Sequence, residues 1–307
     1  MDKPLVSILM NCYNGEKFLK ETLNSVIEQT YKNWELIFWD NQSTDKSAKI
    51  YKEYKDKRFK YYYSDKHTGL GEARSRAFKY LTGEFIAVLD ADDIWLSEKL
   101  EKQIKMFEDR EVGIVISNTN VFNSKGSVKL HTDNFNPSGH MLNQLLASYF
   151  VSLDTLLIRK NDILKLEKNF DKKYDLIADF DLVVRLSKKV KVNYVPKVLS
   201  GWRIHESNKT FKDPKKFVQE KEIWLTEQKQ NDFFLNNVKG MRIFENHLLR
   251  HKALFELIEF RRYESLKLTL NIKPKKLNDF ILIIIIFLPF SSFFVSKILN
   301  KKMRFGL

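Results

Sequence analysis

Short apolar runs alternate with stretches of helical apolar spacing along the first part of the chain. The apolar runs that predict strands are residues 5–10, 34–39, 59–63, 85–89 and 112–117, and the helices predicted between them cover residues 18–27, 47–54, 70–81 and 97–107. The second run is apolar on both faces, as expected for a strand covered by helices on both sides of a sheet. The alternation is typical of an α/β fold with a mostly parallel sheet and crossover helices.

The later part of the chain has a looser pattern. A polar loop at residues 123–139 is interpreted as a candidate mobile lid, residues 149–158 predict a strand, and residues 180–186 predict a helix. Residues 215–270 are helical and amphipathic, with a predicted buried stripe of Phe244, Leu248, Leu249, Leu254, Phe255 and Ile258. We therefore predict an α/β domain at residues 1–210, a helical extension at 211–272 and a separate tail at 273–307.

The tail contains the apolar run FILIIIIFL at residues 280–288, which continues to residue 295 with Pro289 in its middle. Basic residues bracket the run; they are Lys273, Lys275, Lys276, Lys297, Lys301, Lys302 and Arg304. A straight spanning helix needs about 20 apolar residues, and basic residues on both flanks give no orientation. We expect a monotopic or re-entrant anchor in the cytoplasmic leaflet, with a spanning helix or a buried core helix as the alternatives.

Composition narrows the class of protein. The chain has 307 residues and 43% hydrophobic content, which excludes disorder for most of it. Cys12 is the single cysteine, so an internal disulfide is excluded and a reducing compartment fits. The first apolar run is too short for a signal peptide, and the catalytic part is expected on the cytoplasmic side. A net charge of +14 suits anionic membranes, phosphorylated substrates or nucleic acids.

Polar residues follow three of the predicted strands. They occupy residues 11–14, 40–45 and 90–93, and the last two groups are rich in carboxylates. Open parallel sheets bind ligands outside the carboxyl ends of their strands. The sequence therefore predicts a ligand site at this edge. Because the strand ends are acidic and the lysines are scattered, a nucleic-acid-binding protein is disfavoured.

The third polar group has the pattern Asp90-Ala91-Asp92-Asp93. Alternate residues of an extended segment point to the same side, so Asp90 and Asp92 form a carboxylate pair. Such a pair repels itself unless a cation lies between the two groups, and hard oxygen ligands suit Mg²⁺ or Mn²⁺. Asp90 and Asp92 are therefore candidate metal ligands, with Asp93 in possible support. An acidic turn that caps the following helix is the alternative.

An ordered set of motifs resembles the family 2 glycosyltransferases, an inverting group with the GT-A fold. The matching segments are VSILMNCYNG at residues 6–15, SVIEQTY at 25–31, WDNQSTD at 39–45, GEAR at 71–74 and GEFIAVLDADD at 83–93. Their order and spacing hold over roughly the first 205 residues. The resemblance implies a nucleotide-sugar donor and a metal-dependent transferase.

Donor-binding residues follow from the resemblance. Tyr13, Asn14 and Asp40 correspond to the residues that hold the nucleotide base, commonly uracil, and Asn41 stands where the family often has a second acid. Arg74 corresponds to the arginine that faces the ribose or diphosphate of the donor. A guanidinium suits that contact, although a solvated helix face is the alternative for Arg74.

Two later segments carry the remaining expected roles. ADFDLVVRL at residues 178–186 resembles the family helix that carries the general base; Asp179 takes that position and Ala178 stands where glutamate is usual. Asp179 could instead cap the helix or pair with Arg185, and Asp181 is a possible supporting residue. In the segment WRIHESN at residues 202–208, the resemblance implies that Arg203 binds the donor and that His205 ligates the metal or contacts the donor phosphates. A surface histidine is the alternative for His205.

The expected function is inverting transfer of a sugar, with Mn²⁺ or Mg²⁺, from a UDP-sugar or another nucleotide-diphosphate sugar. The acceptor is expected to be a saccharide or lipid-linked glycan in lipopolysaccharide or capsule synthesis, at the inner leaflet of a bacterial inner membrane. A catalytically inactive glycan-binding or scaffold protein of this fold is the main alternative. A nucleotidyltransferase would need a glycine-rich loop after strand one, where Gly15 alone is present.

Overall fold

The computed structural model describes residues 3–130, 137–230, 238–273 and 277–288, together with residues 291, 295 and 297. The chain forms two compact units. The first consists of Met1–Leu142 and Phe150–Ile204, and the second consists of Asn143–Tyr149 and His205–Leu307. The loop predicted at 123–139 is wrong for residues 126–130, which form a strand, and residues 131–136 lie outside the described residues. The predicted tail also lies partly outside them.

One mixed sheet organises the first unit. Its strands in the described residues are β1 (Val6–Cys12), β2 (Trp34–Asp40), β3 (Phe59–Tyr63), β4 (Phe85–Val88), β5 (Ile94–Trp95), β6 (Val112–Asn123), β7 (Gly126–Leu130), β8 (Leu157–Arg159) and β9 (Lys191–Arg203). Their spatial order is β3-β2-β1-β4-β8-β6-β9-β5, and β7 pairs with β6. The helices of this unit are α1 (Leu19–Ile27), α2 (Ser47–Lys52), α3 (Leu70–Ala77), α4 (Lys99–Ile104), α6 (Lys160–Leu164) and α7 (Ala178–Ser187), while α5 (Leu142–Ala147) begins at its boundary.

The prediction of a mostly parallel sheet is correct for only part of it. β1, β2, β3 and β4 are parallel neighbours, and β6 is parallel to β9. β8 runs antiparallel to both β4 and β6, and β5 runs antiparallel to β9. The strand predicted at 149–158 is wrong over most of its length, because residues 153–155 form a 3₁₀ turn before β8 begins.

Apolar periodicity did not predict β5, β7 or β9, and β9 is the longest of the three. Two of its 13 residues, Pro196 and Lys197, are exposed in the middle of the strand, so the regular alternation that marks a strand is interrupted. It nevertheless pairs with β6 along most of its length, with register shifts around Ser117 and Asn118. The pairing carries the end of β9 back to the loop that follows β4.

The parallel half of the sheet has its core on the α1 and α2 face. All seven residues of β1 and all seven of β2 are buried. Leu19, Leu23 and Val26 of α1 pack on this face with the buried strand residues. Burying side chains of this size contributes roughly 1.5–3 kcal/mol each, so the strand ends are held on a rigid base.

The second unit is helical. In the described residues it contains α8 (Lys209–Lys212), α9 (Pro214–Lys229), α10 (Val238–Ile258), α11 (Arg262–Leu270) and α12 (Leu277–Phe287). Phe244 and Leu248 of the predicted stripe are buried, while Leu254 and Ile258 are partly buried against a small core. Among the described residues, no helix combines the length and the apolar character that crossing a membrane requires. Most of residues 289–307 lies outside them.

A buried glutamate ties the amino-terminal ends of the central strands together. Glu35 of β2 is buried and accepts hydrogen bonds from Ser7 Oγ at 2.5 Å, Lys60 Nζ at 2.5 Å and the Thr82 backbone N–H at 2.7 Å. The Ser7 hydroxyl in turn accepts the N–H of Gly83 at 2.7 Å. Burial raises the pKa of Glu35, but these hydrogen bonds outweigh burial and hold the pKa below its ordinary value.

We predict that Glu35→Gln lowers the free energy of unfolding by about 3 kcal/mol at pH 7, because an amide nitrogen would face buried donors. A carboxyl whose folded pKa is depressed stabilises above its unfolded pKa, and the stabilisation is lost as pH falls through the folded value. The difference should therefore shrink on acidification below about pH 4.5. Urea unfolding measures both; Glu98→Gln, in an exposed pair with Lys102, should cost under about 0.5 kcal/mol. Equal stability of Glu35→Gln and wild type at pH 7 would contradict the prediction.

Candidate active site

The acidic loop after β4 lies at the carboxyl end of the parallel strands. β4 pairs with β1, and β1 with β2, so the residues that follow these three strands emerge at one edge of the sheet. Asp90 follows β4 with its carboxylate 32% exposed and accepts a hydrogen bond from Arg74 Nη2 at 2.7 Å. Asp92 is partly exposed and Asp93 is buried. The three acids therefore differ in how far their side chains are exposed.

Arg74 reaches the acidic loop from α3. Its side chain is only 3% exposed, and its guanidinium lies 5.9 Å from the centre of the Phe170 ring as well as against Asp90. The solvated-face alternative for Arg74 is therefore not what the structure shows. Arg76, two residues along the helix, pairs instead with Asp65 and stacks near Trp39. Arg74 is the α3 arginine that faces the acids.

Arg203 fastens the acidic loop to the end of β9. Its backbone N–H donates to Asp93 Oδ1 at 2.8 Å, and its Nε donates to the backbone oxygen of Asp92 at 2.7 Å. Its guanidinium also pairs with Glu21 at 2.7 Å. Burial raises the pKa of Asp93 well above its usual range, and the charge of Asp92 adds to that rise. Asp93 and Arg203 thus fix the loop, and a contact of Arg203 with donor phosphates stays a prediction.

Asp179 belongs to the same cluster of charges. It lies in the first turn of α7, partly exposed. Burial raises the pKa of Asp90, the Arg74 charge opposes the rise, and the charges of Asp92 and Asp179 add to it. The electrostatic effect of Asp179 on Asp90 shows that the fold brings the first turn of α7 to the acidic loop, although the two residues are far apart in sequence.

Close packing between α3 and residues 171–175 positions the start of α7. The backbone N–H of Leu70 donates to the Asp175 carboxylate. Gly71 lies so close to the following turn that a Cβ there would be 1.9 Å from the backbone oxygen of Tyr174. The helix that carries Arg74 is therefore in direct contact with the segment that leads into α7.

Asp181 has a supporting position on α7. It is buried and pairs with Arg185 one turn later, at 2.7 Å from Nη2. Arg185 also donates to the backbone oxygens of Lys168 and Asn169 at 2.6 Å each. The pair joins α7 to the segment before it, and it leaves Asp179 as the more exposed acid of the helix.

The loops after β1 and β2 hold each other in place. The amide oxygen of Asn14 accepts the backbone N–H of Thr44 at 2.8 Å, and Asn14 itself has a positive φ of 54°. Asp40 is fully buried, with one oxygen accepting from the Ser43 N–H at 2.7 Å and the other from the Tyr61 hydroxyl at 2.6 Å. Base contacts by Asn14 and Asp40 stay predictions, and a contact with Asp40 requires movement of its loop.

Asn41 and His67 complete this part of the edge. The Asn41 amide donates to the backbone oxygen of Thr68 at 2.8 Å, so the residue that replaces the second acid of the family fastens the loop after β3. His67, in that loop, contacts the Asn41 backbone oxygen at 2.8 Å through Nδ1. Its ring centre lies 4.2 Å from that of Tyr13, which is half exposed. His67 is not among the residues that the sequence motifs single out.

His205 begins the longer of the two segments that form the second unit. Its backbone N–H donates to Asn208 Oδ1 at 2.7 Å, and its ring lies beside the same amide. The contact of His205 with a metal ion stays a prediction.

The acidic loop suits a divalent metal with few protein ligands. No group of three or more His, Cys, Asp or Glu side chains in the described residues is arranged to hold a metal ion. Mg²⁺ and Mn²⁺ commonly take one or two carboxylates from the protein and the remaining oxygens from phosphates and water. Asp90 and Asp92 fit that pattern, because their charges raise the pKa of neighbouring acids and a cation would relieve the repulsion.

Comparison with known proteins decides the family. The model of glycosyl transferase family 2 matches residues 7–173, more than half of the chain. An uncharacterized glycosyltransferase of Methanocaldococcus jannaschii is 31% identical over 286 residues, which are 90% of this chain and 96% of that protein.

The chain belongs to glycosyl transferase family 2.

Other similar proteins indicate the range of this family. A UDP-Glc:α-D-GlcNAc-diphosphoundecaprenol β-1,3-glucosyltransferase of Escherichia coli is 40% identical over 128 residues, which are 42% of this chain and only 51% of that enzyme. S. aureus TarS 1–349, solved with UDP-GlcNAc, matches with a TM-score of 0.65 at 20% identity, over 92% of this chain and 79% of its own. A Pyrobaculum calidifontis mannosyltransferase solved with GDP-Man and Mn²⁺ gives a TM-score of 0.60 at 15% identity, over 96% and 84%. These likenesses confirm the GT-A-like fold.

We predict that Gly71→Ala in this family 2 transferase lowers the free energy of unfolding by about 1–3 kcal/mol, because the added methyl group meets backbone that cannot yield locally. Turnover of the folded fraction should fall as well, since α3 and residues 171–175, which lead into α7, must separate. Chemical unfolding and a transfer assay measure the two effects. Ser75→Ala, on the same helix, should change stability by less than about 0.5 kcal/mol. Wild-type stability in Gly71→Ala would show that the two segments do not pack in this way.

Proposed function

We propose that this family 2 glycosyltransferase transfers a sugar from a UDP-sugar to an acceptor hydroxyl with inversion at the anomeric carbon. One observation carries the proposal: the buried Arg74 pairs with Asp90 at 2.7 Å beside the acidic loop, and the helix that holds Arg74 packs against the segment that leads into α7 and Asp179. This arrangement supports Asp179 as a carboxylate base and Arg74 as a cationic phosphate-binding group at the ligand edge of the sheet.

Donor binding is divided between two parts of this edge. The half-exposed ring of Tyr13, flanked by His67, offers an aromatic surface on which a nucleobase can pack. Arg74 is the proposed ligand of the diphosphate, since a guanidinium matches phosphate oxygens. UDP as the nucleotide is supported by the printed donor of the E. coli relative and by the UDP-GlcNAc complex of TarS.

The acids have separate roles in the proposed reaction. Asp179 accepts the proton of the acceptor hydroxyl as that oxygen attacks the anomeric carbon, and the nucleoside diphosphate leaves from the opposite face. Arg74 lies where negative charge develops on the leaving group. Asp90 and Asp92 would hold Mn²⁺ or Mg²⁺, which supplies Lewis-acid stabilisation of the diphosphate when bound. Asp93 and Arg203 keep the loop in place, and Asp181 supports α7.

The acceptor we propose is a saccharide or lipid-linked glycan precursor of a surface polysaccharide. The E. coli relative is named for a GlcNAc-diphosphoundecaprenol acceptor, and another relative is named as a putative teichuronic acid biosynthesis glycosyltransferase of Bacillus subtilis. The reaction class needs an acceptor that presents a free hydroxyl group to Asp179. The sugar itself is left to experiment.

The test of this function is nucleotide release from a panel of UDP-, GDP- and dTDP-sugars, with Mn²⁺, Mg²⁺ or EDTA, alone and with lipid-linked acceptors. We expect metal-dependent release of UDP from one donor, which an acceptor accelerates. Release of a different nucleotide would contradict the donor assignment. Absence of release from every donor, together with absence of nucleotide binding, would favour the inactive glycan-binding alternative.

We predict that Asp179→Asn lowers turnover about a hundredfold or more and leaves UDP affinity within about twofold of wild type, because the amide cannot accept the acceptor proton. Single-turnover assays and calorimetric UDP titration separate the two quantities. Asp181→Asn is the matched control on the same helix: it should lower the melting temperature through the lost Arg185 pair and reduce turnover of folded protein far less. Turnover of Asp179→Asn near the wild-type value would remove Asp179 from the role of base.

A further inference from the structure

One face of α12 exposes a continuous row of large apolar side chains. The row, called here the apolar stripe, consists of Leu277, Phe280, Ile281, Ile284, Phe287 and Leu288, whose exposed fractions lie between 43% and 74%. Their spacing of three and four residues places them on one side of the helix. Isolated exposed apolar residues are ordinary, but a contiguous group of this size marks a surface that another phase or molecule covers.

The orientation of α12 is fixed by contacts on its opposite face. Leu282 and Ile286 are buried in the small core that includes Ala253 and Leu257 of α10. Asp279, fully buried, accepts two hydrogen bonds from Arg250 of α10, at 2.5 Å from Nε and 2.7 Å from Nη2. Rotating the helix to bury the apolar stripe would break this bidentate pair. The pair therefore keeps the stripe exposed.

Basic side chains accompany the apolar stripe. Arg262 Nη2 donates to the backbone oxygen of Leu288 at 3.1 Å, which places a guanidinium at the carboxyl-terminal end of the stripe. Lys267 and Lys273 are exposed on the adjoining segment, and Tyr263 of α11 is 75% exposed. Tyrosine and basic residues beside an apolar helix face are the side chains that favour the boundary between headgroups and acyl chains.

The positive charge of the carboxyl-terminal part of the chain indicates which kind of partner covers the apolar stripe. Residues 260–307 contain ten Lys or Arg and two Asp or Glu, a formal net charge of +8 out of +14 for the whole chain. One of the two acids is the buried Asp279. A second copy of the chain would bring the same positive charge to the contact and be repelled. An anionic bilayer surface, such as a cytoplasmic leaflet, is complementary in both charge and apolar character.

We propose that the apolar stripe of α12 docks into the surface of an anionic lipid bilayer, with the helix lying in the plane of the interface and the neighbouring basic residues on the headgroups. A helix in this position enters the interface on one face only and does not cross the membrane. The inference rests on the exposed face and the charge of the second unit and does not depend on the sugar-transfer reaction.

The test is sedimentation of the full-length protein with phosphatidylcholine vesicles that contain or lack phosphatidylglycerol. We expect wild type to bind the anionic vesicles and to be released by high salt. The double substitution Ile284→Asp, Phe287→Asp changes only exposed positions and should weaken binding about tenfold or more, because two apolar groups no longer enter the interface. Ile223→Asp, at a half-exposed position of α9, is the matched control and should bind as wild type does.

Three outcomes would overturn the proposal. Undiminished vesicle binding by the double variant would show that the apolar stripe is not the docking face. Equal binding of wild type to neutral and anionic vesicles would remove the basic residues from it. Wild type could instead fail to bind vesicles and form a dimer in light scattering that the double variant does not form. That result would assign the stripe to contact with a second copy of the chain. Circular dichroism melting should show that all variants fold.

Discussion

Repulsion among carboxylates at the carboxyl end of β4 is the constraint on which the rest of this structure depends. Asp90, Asp92 and Asp93 follow one another in a single loop, and the structure holds them there with two arginines from distant parts of the chain. Arg74 neutralises part of the charge on Asp90. Arg203 holds the backbone of Asp92 and the carboxylate of Asp93. The remaining negative charge can attract a divalent cation, and that cation can in turn bind the oxygens of a diphosphate.

The mixed half of the sheet helps to position this loop. β9 runs beside β6 and ends at Arg203, so the longest strand of the first unit delivers its last residue to the acids. On the other side, α3 packs so tightly against residues 171–175 that only glycine fits at position 71. The same contact brings α7, with Asp179, to the cluster. Stability and positioning therefore use the same contacts, as the Asp93–Arg203 and Asp181–Arg185 pairs also show.

The local sequence pattern predicts the parallel strands and the acidic loop because the signal for each lies within a few consecutive residues. Residues 59–63, for example, form a strand with the predicted ends. β9 was missed because Pro196 and exposed central positions interrupt its alternation. The loop after β3 was missed for another reason: its carboxyl end belongs to the same edge, and extending the strand-end rule to it would have pointed to His67. The contacts of Asn41 and Asp175 with remote backbone had no local signal.

Calorimetric titration of UDP, with Mn²⁺ and with EDTA, tests the central claim most directly. Wild type and Asp92→Asn would be compared, because Asp92 is the partly exposed acid of the loop. The account predicts that Mn²⁺ strengthens UDP binding about tenfold or more in wild type and has little effect in Asp92→Asn. Equal affinity with Mn²⁺ and EDTA in wild type would contradict it, since the acidic loop would then have no part in holding the donor.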